Sequence, residues 1–284
     1  MQNKQLKLFV TGANGFIGKN FIQYAIKHKY FVYAVSRKKI KSNNKSLVWL
    51  HGDFSAVKWK KELKDSDVLV HLASAGVISK KIKKSYAYNV NVTKSIKLLK
   101  NAICSNCFHW VIAGSASEYG EVLKKKKPVS SITIPMPLKN YDLTKYIFSK
   151  KAIEISNQNN SIKCRIMRIF PVYGYGENKK RLFPSLMEAA TNNNDFTINN
   201  YNSVNDFTPV EKVAKDLLQA CNFNKKKSHF PQIWHISSGL RITVKQFAEM
   251  IWWKTRSKGK LSFLSKGNDK IYHHFSDKKS IWKS

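Results

Sequence analysis

Short apolar runs without a helical period alternate with amphipathic segments along the first 170 residues of the chain. Such runs are typical of strands buried on both faces, and the segments between them repeat their apolar positions every three or four residues, as helices do. The pattern predicts strands at 6–10, 30–35, 47–50, 67–72, 110–113 and 162–169, and helices at 19–28, 90–101 and 142–156. Strands that alternate with helices predict an α/β fold with a doubly wound parallel sheet.

The pattern loosens after residue 170. It predicts helices at 182–191, 210–221 and 244–253, a late strand at 233–236, and a loop or short hairpin at 192–202. We therefore expect residues 1–170, joined by 205–238, to form the sheet domain. Residues 171–204 and 239–284 are expected to form a smaller C-terminal lobe over the carboxyl edge of the sheet.

Three glycines at equal spacing, Gly12, Gly15 and Gly18, separate the first predicted strand from the first predicted helix. A dinucleotide site needs a sharp turn there, close approach of the backbone to a pyrophosphate, and close packing of helix on strand. The helix N-terminus then offers unpaired N–H groups to the anion. The spacing predicts a Rossmann-type cofactor loop, and an ordinary glycine-rich turn is the alternative interpretation.

The end of the second predicted strand carries no acidic residue, because positions 35–39 read Val-Ser-Arg-Lys-Lys. An NAD site places Asp or Glu there to accept from the ribose 2′-hydroxyl, whereas a 2′-phosphate is matched by Arg. Ser36 and Arg37 therefore favour NADP over NAD. The alternative is that Arg37 and Lys38 belong to the general positive charge of this chain.

Tyr141 and Lys145 stand four residues apart at the start of a predicted helix, so they share one face. A nearby ammonium favours the phenolate and lowers the pKa of a phenol, which suits it to acid–base work. Ser115 follows the buried strand at 110–113. Its hydroxyl could form a hydrogen bond to the same substrate oxygen as the Tyr141 phenol. A Tyr-x-x-x-Lys match occurs easily by chance in a lysine-rich chain. The match at Tyr141 and Lys145 is informative because it follows the strand that leads to Ser115.

Lys and Arg number 51 against 17 acidic residues, for a net charge of +34. A polyanion partner is one interpretation, but only six of the 51 are Arg, the residue that nucleic-acid sites favour. We attribute the charge to codon bias and expect no specific nucleic-acid partner.

Cys104 and Cys107 have the spacing of a metal-binding pair, yet no second ligand pair accompanies them, so no metal is expected.

Hydrophobic residues make up 43% of the chain, which excludes global disorder. No apolar run reaches the length of a membrane span, and the first seven residues are too polar and short for a signal peptide. We expect a cytoplasmic protein without a membrane span.

Nine motifs in a characteristic order carry a resemblance that runs from residue 8 to about residue 250. They occupy positions 10–18, 52–54, 70–73, 89–93, 115–120, 141–145, 168–174, 206–210 and 236–239. With these motifs the chain resembles the extended short-chain dehydrogenases/reductases, specifically the NAD(P)-dependent nucleotide-sugar epimerase/dehydratase/reductase family. Members are expected to combine an NAD(P)-binding Rossmann domain with a smaller substrate-binding lobe, and to form homodimers.

The resemblance implies a role for each matched position. Tyr141 would be the acid/base, Lys145 its activator and Ser115 its partner, and Asn89 would be the helix residue that supports the active-site backbone. Ser117, Arg181 and Asn205 are candidate substrate residues. The implied cofactor-binding residues, which bind NADP or NAD, are Gly12, Asn14, Gly15, Phe16, Ile17, Gly18, Ser36, Arg37, Asp53, Phe54, Leu72, Ala73, Ser74, Asn89, Tyr141 and Lys145.

Two departures from the family pattern narrow the expected chemistry. The dehydratases carry an Asp–Glu pair where this chain has Ala116 and Ser117, so 4,6-dehydration is not expected. Asn205 replaces an Arg that binds substrate phosphate, so Arg181 or a lysine is expected to take that part. The favoured function is reduction of a nucleotide-linked 4-keto sugar. The alternatives are a nucleotide-sugar 4-epimerase and, more distantly, a non-catalytic module that binds a dinucleotide or nucleic acid.

Overall fold

The computed structural model describes residues 5–77, 82–125, 127–223, 229–264 and 273–282. The strands in these ranges are β1 (Lys7–Thr11), β2 (Phe31–Ser36), β3 (Leu47–His51), β4 (Val68–His71), β5 (His109–Ser115), β6 (Lys163–Ile169), β7 (Val172–Tyr173), β8 (Phe196–Asn199), β9 (Val204–Asn205), β10 (Thr208–Pro209), β11 (Gln232–Ile236), β12 (Ile242–Thr243) and β13 (Leu261–Leu264). The α-helices are α1 (Phe16–Lys27), α2 (Lys60–Lys64), α3 (Lys84–Tyr88), α4 (Ser95–Cys104), α5 (Asn140–Asn157), α6 (Leu182–Thr191), α7 (Val210–Ala220) and α8 (Val244–Thr255).

Seven strands form the central sheet in the order β11-β6-β5-β4-β1-β2-β3, and every neighbouring pair is parallel. The chain winds outward from β1 in one direction and from β4 in the other. The strand order therefore reverses between β1 and β4, and ligands of such sheets bind at the carboxyl ends beside that reversal. The predicted Rossmann-type, doubly wound α/β fold is confirmed.

Helices cover both faces of the sheet. One core layer packs α1 and α7 on the sheet through Phe21, Ile22 and Leu217, and the other packs α4 and α5 through Leu98 and Phe148. Burial on both faces explains why β4 and β5 read as continuous apolar runs rather than alternating ones.

The smaller elements after β6 share a separate core that joins α6 and α8. Phe207 stacks on Phe247 of α8, with ring centroids 4.0 Å apart. The stretch at 192–202, predicted as a loop or hairpin, instead contains β8, which pairs in parallel with β13. A parallel partner 65 positions along the chain, as in the register of Phe196 with Leu261, leaves no local hairpin signal in the sequence.

The helix predicted at 90–101 is more complex than its apolar pattern indicates. Residues Asn89–Lys94 form a π-helical turn between α3 and α4. Such a turn contains one extra residue per hydrogen-bonded ring, so it changes which side chains face the sheet. Across the described chain, no helix has both the length and the apolarity needed to cross a bilayer.

Candidate active site

The turn between β1 and α1 requires its glycines. Gly12 has a φ of +67°, and a Cβ there would lie 2.6 Å from the backbone nitrogen of Ala73. A Cβ on Gly18 would lie 2.2 Å from the carbonyl oxygen of Gly12, because the helix packs directly on the turn. The sequence therefore brings the end of β1, the end of β4 and the start of α1 into close contact.

Helix α1 begins at this turn with its first N–H groups uncapped. Gly15 is the N-cap, no side chain caps the helix, and its first turn, which contains Phe16 and Ile17, has no acidic residue. Asn14 lies in the turn and is half-buried. Backbone donors, a positive helix end and the space left by absent Cβ atoms together fit a pyrophosphate.

The end of β2 presents a hydroxyl and a guanidinium and no carboxylate. Ser36 is buried, and its Oγ accepts a hydrogen bond of 3.0 Å from the backbone nitrogen of Lys38. Arg37 is exposed, and its Nη1 donates to the phenol oxygen of Tyr86 on α3 at 3.0 Å. Tyr86, which the sequence did not single out, therefore holds Arg37 beside the end of β2.

Asp53 and Phe54 follow β3. Asp53 Oδ1 accepts hydrogen bonds from the backbone nitrogen and the hydroxyl of Ser55, at 2.9 and 2.7 Å, and its Oδ2 pairs with Lys94. Partial burial alone would raise the pKa of Asp53, but the bonds from Lys94 and Ser55 outweigh burial and lower it. The carboxylate is thus ionised and held in one orientation. Phe54 packs against the ring of His71.

The support expected from Asn89 comes from Asn91. Asn89 is exposed, whereas Asn91 is buried. Asn91 Oδ1 accepts from the backbone nitrogen of Ala75 at 2.7 Å, and its Nδ2 donates to the carbonyl oxygen of Ala75 and to Thr144 Oγ1, both at 2.9 Å. The prediction for Asn89 is corrected by two positions, because the π-helical turn at Asn89–Lys94 turns Asn91 toward the sheet.

A buried chain of polar groups lies beneath this loop. His71 shares hydrogen bonds with Thr11 Oγ1 at 2.6 Å and with Ser95 Oγ at 2.9 Å. Burial, with a smaller contribution from Lys145, lowers the pKa of His71 to about 3. His71 is therefore neutral near pH 7 and links β1, β4 and α4. The backbone nitrogen of Ala73, just beyond Leu72, donates to the same Thr11 hydroxyl at 3.3 Å.

Ser115, Tyr141 and Lys145 come together where β5 ends and α5 begins. Ser115 and Ser74 both form side-chain hydrogen bonds with the Tyr141 phenol. The Lys145 ammonium is buried and donates to the carbonyl oxygen of Ala113 at 2.5 Å. The parallel register of the sheet causes this meeting, because Ser115 and the loop at Ser74 both lie at carboxyl strand ends.

Burial governs the electrostatics of this group. It raises the pKa of Tyr141 to about 12, against the hydrogen bonds from Ser74 and Ser115, which lower it, so the lowering expected from the Lys145 ammonium is not found. It lowers the pKa of Lys145 to about 8, against the Glu118 carboxylate, which raises it. Near pH 7 the phenol is therefore protonated and the ammonium is mostly charged. A protonated phenol flanked by two hydroxyls can donate a proton to an oxygen that sits among them.

The three candidate substrate residues have different surroundings. Ser117 is close to the site, since its Oγ shares a hydrogen bond of 2.8 Å with Ser115 Oγ. Arg181 is exposed, and its Nε donates to Glu177 Oε1 at 3.1 Å. Asn205 lies in β9, where its Oδ1 shares a hydrogen bond of 3.0 Å with His274 Nδ1. Each of the last two already has a protein partner.

The sequence reasoning missed Ser74 as a partner of Tyr141, and it missed Glu118. Glu118 is fully buried, and its Oε1 accepts from the backbone nitrogen of Ser115 at 2.8 Å. A signal for Glu118 was available, because Ser115 and a Glu three residues later form a capping-box pattern. In the described ranges no three His, Cys, Asp or Glu side chains are grouped to hold a metal ion.

The fold and this site define a class of protein with a dinucleotide loop and a Ser–Tyr–Lys cluster on one sheet edge. The profile of the NAD dependent epimerase/dehydratase family matches residues 8–236. Because this match covers most of the chain, the protein belongs to that family, as its motifs predicted.

Relatives with named activities are distant. The uncharacterized UDP-glucose epimerase YtcB of Bacillus subtilis (strain 168) is 26% identical over 229 residues, which cover 75% of this chain and 71% of the relative. The GDP-6-deoxy-D-talose 4-dehydrogenase of Aggregatibacter actinomycetemcomitans is 26% identical over 216 residues, covering 72% of this chain and 66% of that protein.

The fold also occurs in solved structures. The UDP-glucuronic acid 4-epimerase of Bacillus cereus, solved with UDP-glucuronic acid and NAD, superposes with a TM-score of 0.82 at 22% identity. The superposition covers 96% of this chain and 91% of that chain. At this identity the likeness shows the fold alone.

Proposed function

We propose that the protein is an NADP-dependent reductase of a nucleotide-linked 4-keto sugar. The observation that carries this proposal is the protonated Tyr141 phenol, hydrogen-bonded by the Ser74 and Ser115 hydroxyls and one helical turn from the Lys145 ammonium. A reductase needs an acid that holds its proton in the resting state and delivers it to the carbonyl oxygen. Tyr141 meets that requirement near pH 7.

Residues at the β1–β4 crevice would hold the cofactor. The glycine turn and the N-terminus of α1 would take the pyrophosphate, and Asp53 with Phe54 would take the adenine end. Ser36 and Arg37 would bind a ribose 2′-phosphate, since no carboxylate competes for that place. A nicotinamide cofactor, when bound, supplies the hydride that reduces the sugar carbonyl carbon.

The chain's own side chains would handle the proton. The Ser115 hydroxyl would donate a hydrogen bond to the sugar O4, and Tyr141 would pass its proton to the same oxygen. Lys145 would stabilise the phenolate left behind, and solvent would return the proton to Tyr141. Hydride and proton together convert the ketone to an alcohol, so atoms and charges balance.

The substrate class rests on family membership and on the names of the relatives. The relatives reported above are named for UDP- or GDP-linked sugars, and three names specify either epimerase or 4-dehydrogenase activity. Residues 171–204 and 239–284 are proposed to bind the nucleotide sugar, and a homodimer in the cytoplasm remains our expectation. Ala116, which is buried, and Ser117, which is half-buried, occupy the positions of a dehydratase's acid pair, which argues against elimination of water.

A 4-epimerase is the second candidate. It is favoured by the epimerase names among the relatives and by NAD in the Bacillus cereus structure. An epimerase would use Ser115, Tyr141 and Lys145 on a sugar 4-hydroxyl, with Tyr141 first acting as a base. The end of β2 carries no carboxylate, which suits NADP and therefore favours the reductase over this candidate.

A substrate panel tests the proposal. Purified protein and NADPH are mixed with nucleotide-linked 4-keto sugars, and absorbance of the reduced nicotinamide is followed. We expect loss of absorbance with at least one keto sugar, and a rate of loss at least about 10²-fold lower with the Tyr141→Phe variant. Inversion of a 4-hydroxy sugar by the same protein, without loss of absorbance on any keto sugar, would replace the reductase by the epimerase.

A further inference from the structure

We propose that Glu118 is a positioning residue for this site: its carboxylate holds the turn that carries Ser115 and keeps a negative charge beside Lys145. The inference rests on the proposed function only for its kinetic consequence.

The Glu118 carboxylate accepts hydrogen bonds from three elements of the fold. Its Oε1 accepts from the backbone nitrogen of Ser115, at the end of β5, at 2.8 Å, and from the Ser149 hydroxyl of α5 at 3.2 Å. Its Oε2 accepts from Arg168 Nε of β6 at 3.1 Å. A carboxylate bound in this way cannot turn without breaking a bond to one of them, so it fixes Ser115 relative to α5.

Arg168 is itself held in place. Its Nη1 donates to the Tyr119 phenol at 2.8 Å, and its guanidinium lies 4.6 Å from the centroid of that ring. The Tyr119 phenol shares a hydrogen bond of 2.5 Å with His235 Nε2. Burial opposes the charge of Arg168, but Glu118 and Tyr119 outweigh it and raise its pKa. The guanidinium therefore remains a fixed cation behind Glu118.

The charge of Glu118 has a use beyond this pair. Burying a carboxylate is unfavourable unless it is well paired, and a neutral side chain could cap the Ser115 turn at lower cost. Glu118 has an exposed fraction of 0%. Ser149, which donates to Glu118 Oε1, lies one helical turn after Lys145 on the same face of α5, and Lys145 donates to Ala113, two residues before the Ser115 amide that Glu118 binds. The carboxylate and the ammonium are therefore neighbours, and the negative charge raises the pKa of Lys145, which burial lowers. We infer that the carboxylate keeps the buried ammonium charged near neutral pH.

The titration of Lys145 depends on the charged and titratable groups that surround it. Glu118 faces it from the turn after β5 and His71 from β4, and Tyr141 and Asp142 lie at the start of its own helix. Arg168 lies behind Glu118 on β6. His71 is neutral near pH 7, so it adds no charge there.

Glu118→Gln keeps the volume and an acceptor for the Ser115 N–H while it removes the charge. Lysine labelled with ¹⁵N at Nζ is titrated by NMR in the cofactor-free protein, and Lys145 is assigned by its absence in Lys145→Met. We expect Lys145 to titrate at lower pH in Glu118→Gln than in wild type. Glu118→Asp, which keeps the charge, should restore the wild-type titration.

The kinetic arm uses a 4-keto sugar that the wild type reduces. Glu118→Gln should lower kcat about tenfold with little change in KM, and its pH profile should move to lower pH. Asp216→Asn is the matched control, because Asp216 is also a buried carboxylate paired with a cation, Lys212, on α7. It should lower thermal stability without moving the pH profile.

Ser149→Ala provides a milder variant if Glu118→Gln does not fold. It removes one donor to Oε1 and leaves the charge, so exchange of the Ser115 amide hydrogen should quicken while Lys145 titrates as in wild type. Unchanged Lys145 titration in Glu118→Gln, or unchanged Ser115 exchange in Ser149→Ala, would overturn the proposal. A shifted titration in a protein that reduces no keto sugar would instead uphold Glu118 and refute the proposed function.

Discussion

The ammonium of Lys145 donates a hydrogen bond of 2.5 Å to the carbonyl oxygen of Ala113, two residues before Ser115. This bond ties α5 directly to the carboxyl end of β5. It holds Tyr141, one turn earlier on the same face of α5, over the strand end that carries Ser115. Lys145 therefore joins α5 to β5, in addition to its proposed chemical role of stabilising the Tyr141 phenolate.

Lys145→Met should cost both turnover and cofactor affinity. The substitution keeps a long side chain but removes the ammonium that would stabilise the Tyr141 phenolate and contact the nicotinamide ribose. We expect kcat to fall by about 10² or more, and cofactor binding measured by calorimetry to weaken about tenfold. Full cofactor affinity in this variant would contradict the proposed contact between Lys145 and the nicotinamide ribose.

Tyr141→Phe should leave folding and cofactor binding intact. The ring keeps its packing and only the proton-donating hydroxyl is lost. We expect kcat to fall by about 10²–10⁴, which is the usual contribution of a positioned acid or base. Ser115→Ala should cost less, because Ser115 assists without carrying the proton. Near-full turnover by Tyr141→Phe would refute the assigned mechanism.

Asn91 and Asn89 form a matched pair for a stability test. Asn91→Ala leaves the backbone of Ala75 and the hydroxyl of Thr144 without their buried partner, so we expect about 1–3 kcal/mol of lost stability. Asn89→Ala alters an exposed side chain and should change stability by about 0.5 kcal/mol or less. Chemical denaturation measures both, and equal losses would contradict the assignment to Asn91.

Arg37→Ala should weaken NADP binding selectively. A charge-assisted contact to the 2′-phosphate contributes about 1.5–3 kcal/mol, so the dissociation constant of NADP should rise about tenfold or more while that of NAD stays unchanged. Lys41→Ala, which removes an exposed charge farther along the chain, is the control. If wild type binds the two cofactors equally in calorimetry, the NADP preference is wrong.

Acid should destabilise the protein through His71. Its pKa is about 3 in the folded protein and near 6.5 when unfolded, so the neutral ring stabilises the fold above pH 6.5. That contribution is lost as pH falls below 6.5, by about 2 kcal/mol between pH 7 and pH 5. The loss of unfolding free energy over this range should be smaller by that amount in His71→Gln. An equal loss in His71→Gln and in wild type would contradict this role of His71.

The central sheet could be predicted from the sequence because its signals are local. Strands buried on both faces are continuous apolar runs, and the Gly12–Gly18 turn lies between one of them and a helix. The pairing of β8 with β13 could not be predicted, because its partners lie far apart in the chain and one falls in an asparagine-rich stretch. Parallel partners of this kind share no turn that would mark them.

The candidate site could also be predicted where its signals are local in the sequence, and could not where they depend on tertiary contacts. Ser115, Tyr141 and Lys145 follow motifs at strand and helix ends, and the structure brings them together. Asn91 was missed because a π-helical turn changes the side that faces the sheet, and no sequence period reports such a turn. The partners of Arg181 and Asn205 depend on tertiary contacts, which a pattern along the chain does not contain.

Transfer of a label from the cofactor to the sugar tests the central claim most directly. The protein is given a nucleotide-linked 4-keto sugar and NADPH that carries deuterium as the transferable hydrogen on the nicotinamide C4, and the product is analysed by NMR. We expect one deuterium on the sugar C4 for each NADPH oxidised, and a rate of transfer about 10²–10⁴-fold lower with Tyr141→Phe. Inversion at C4 of a 4-hydroxy sugar, with no NADPH consumed and no deuterium in the product, would contradict it.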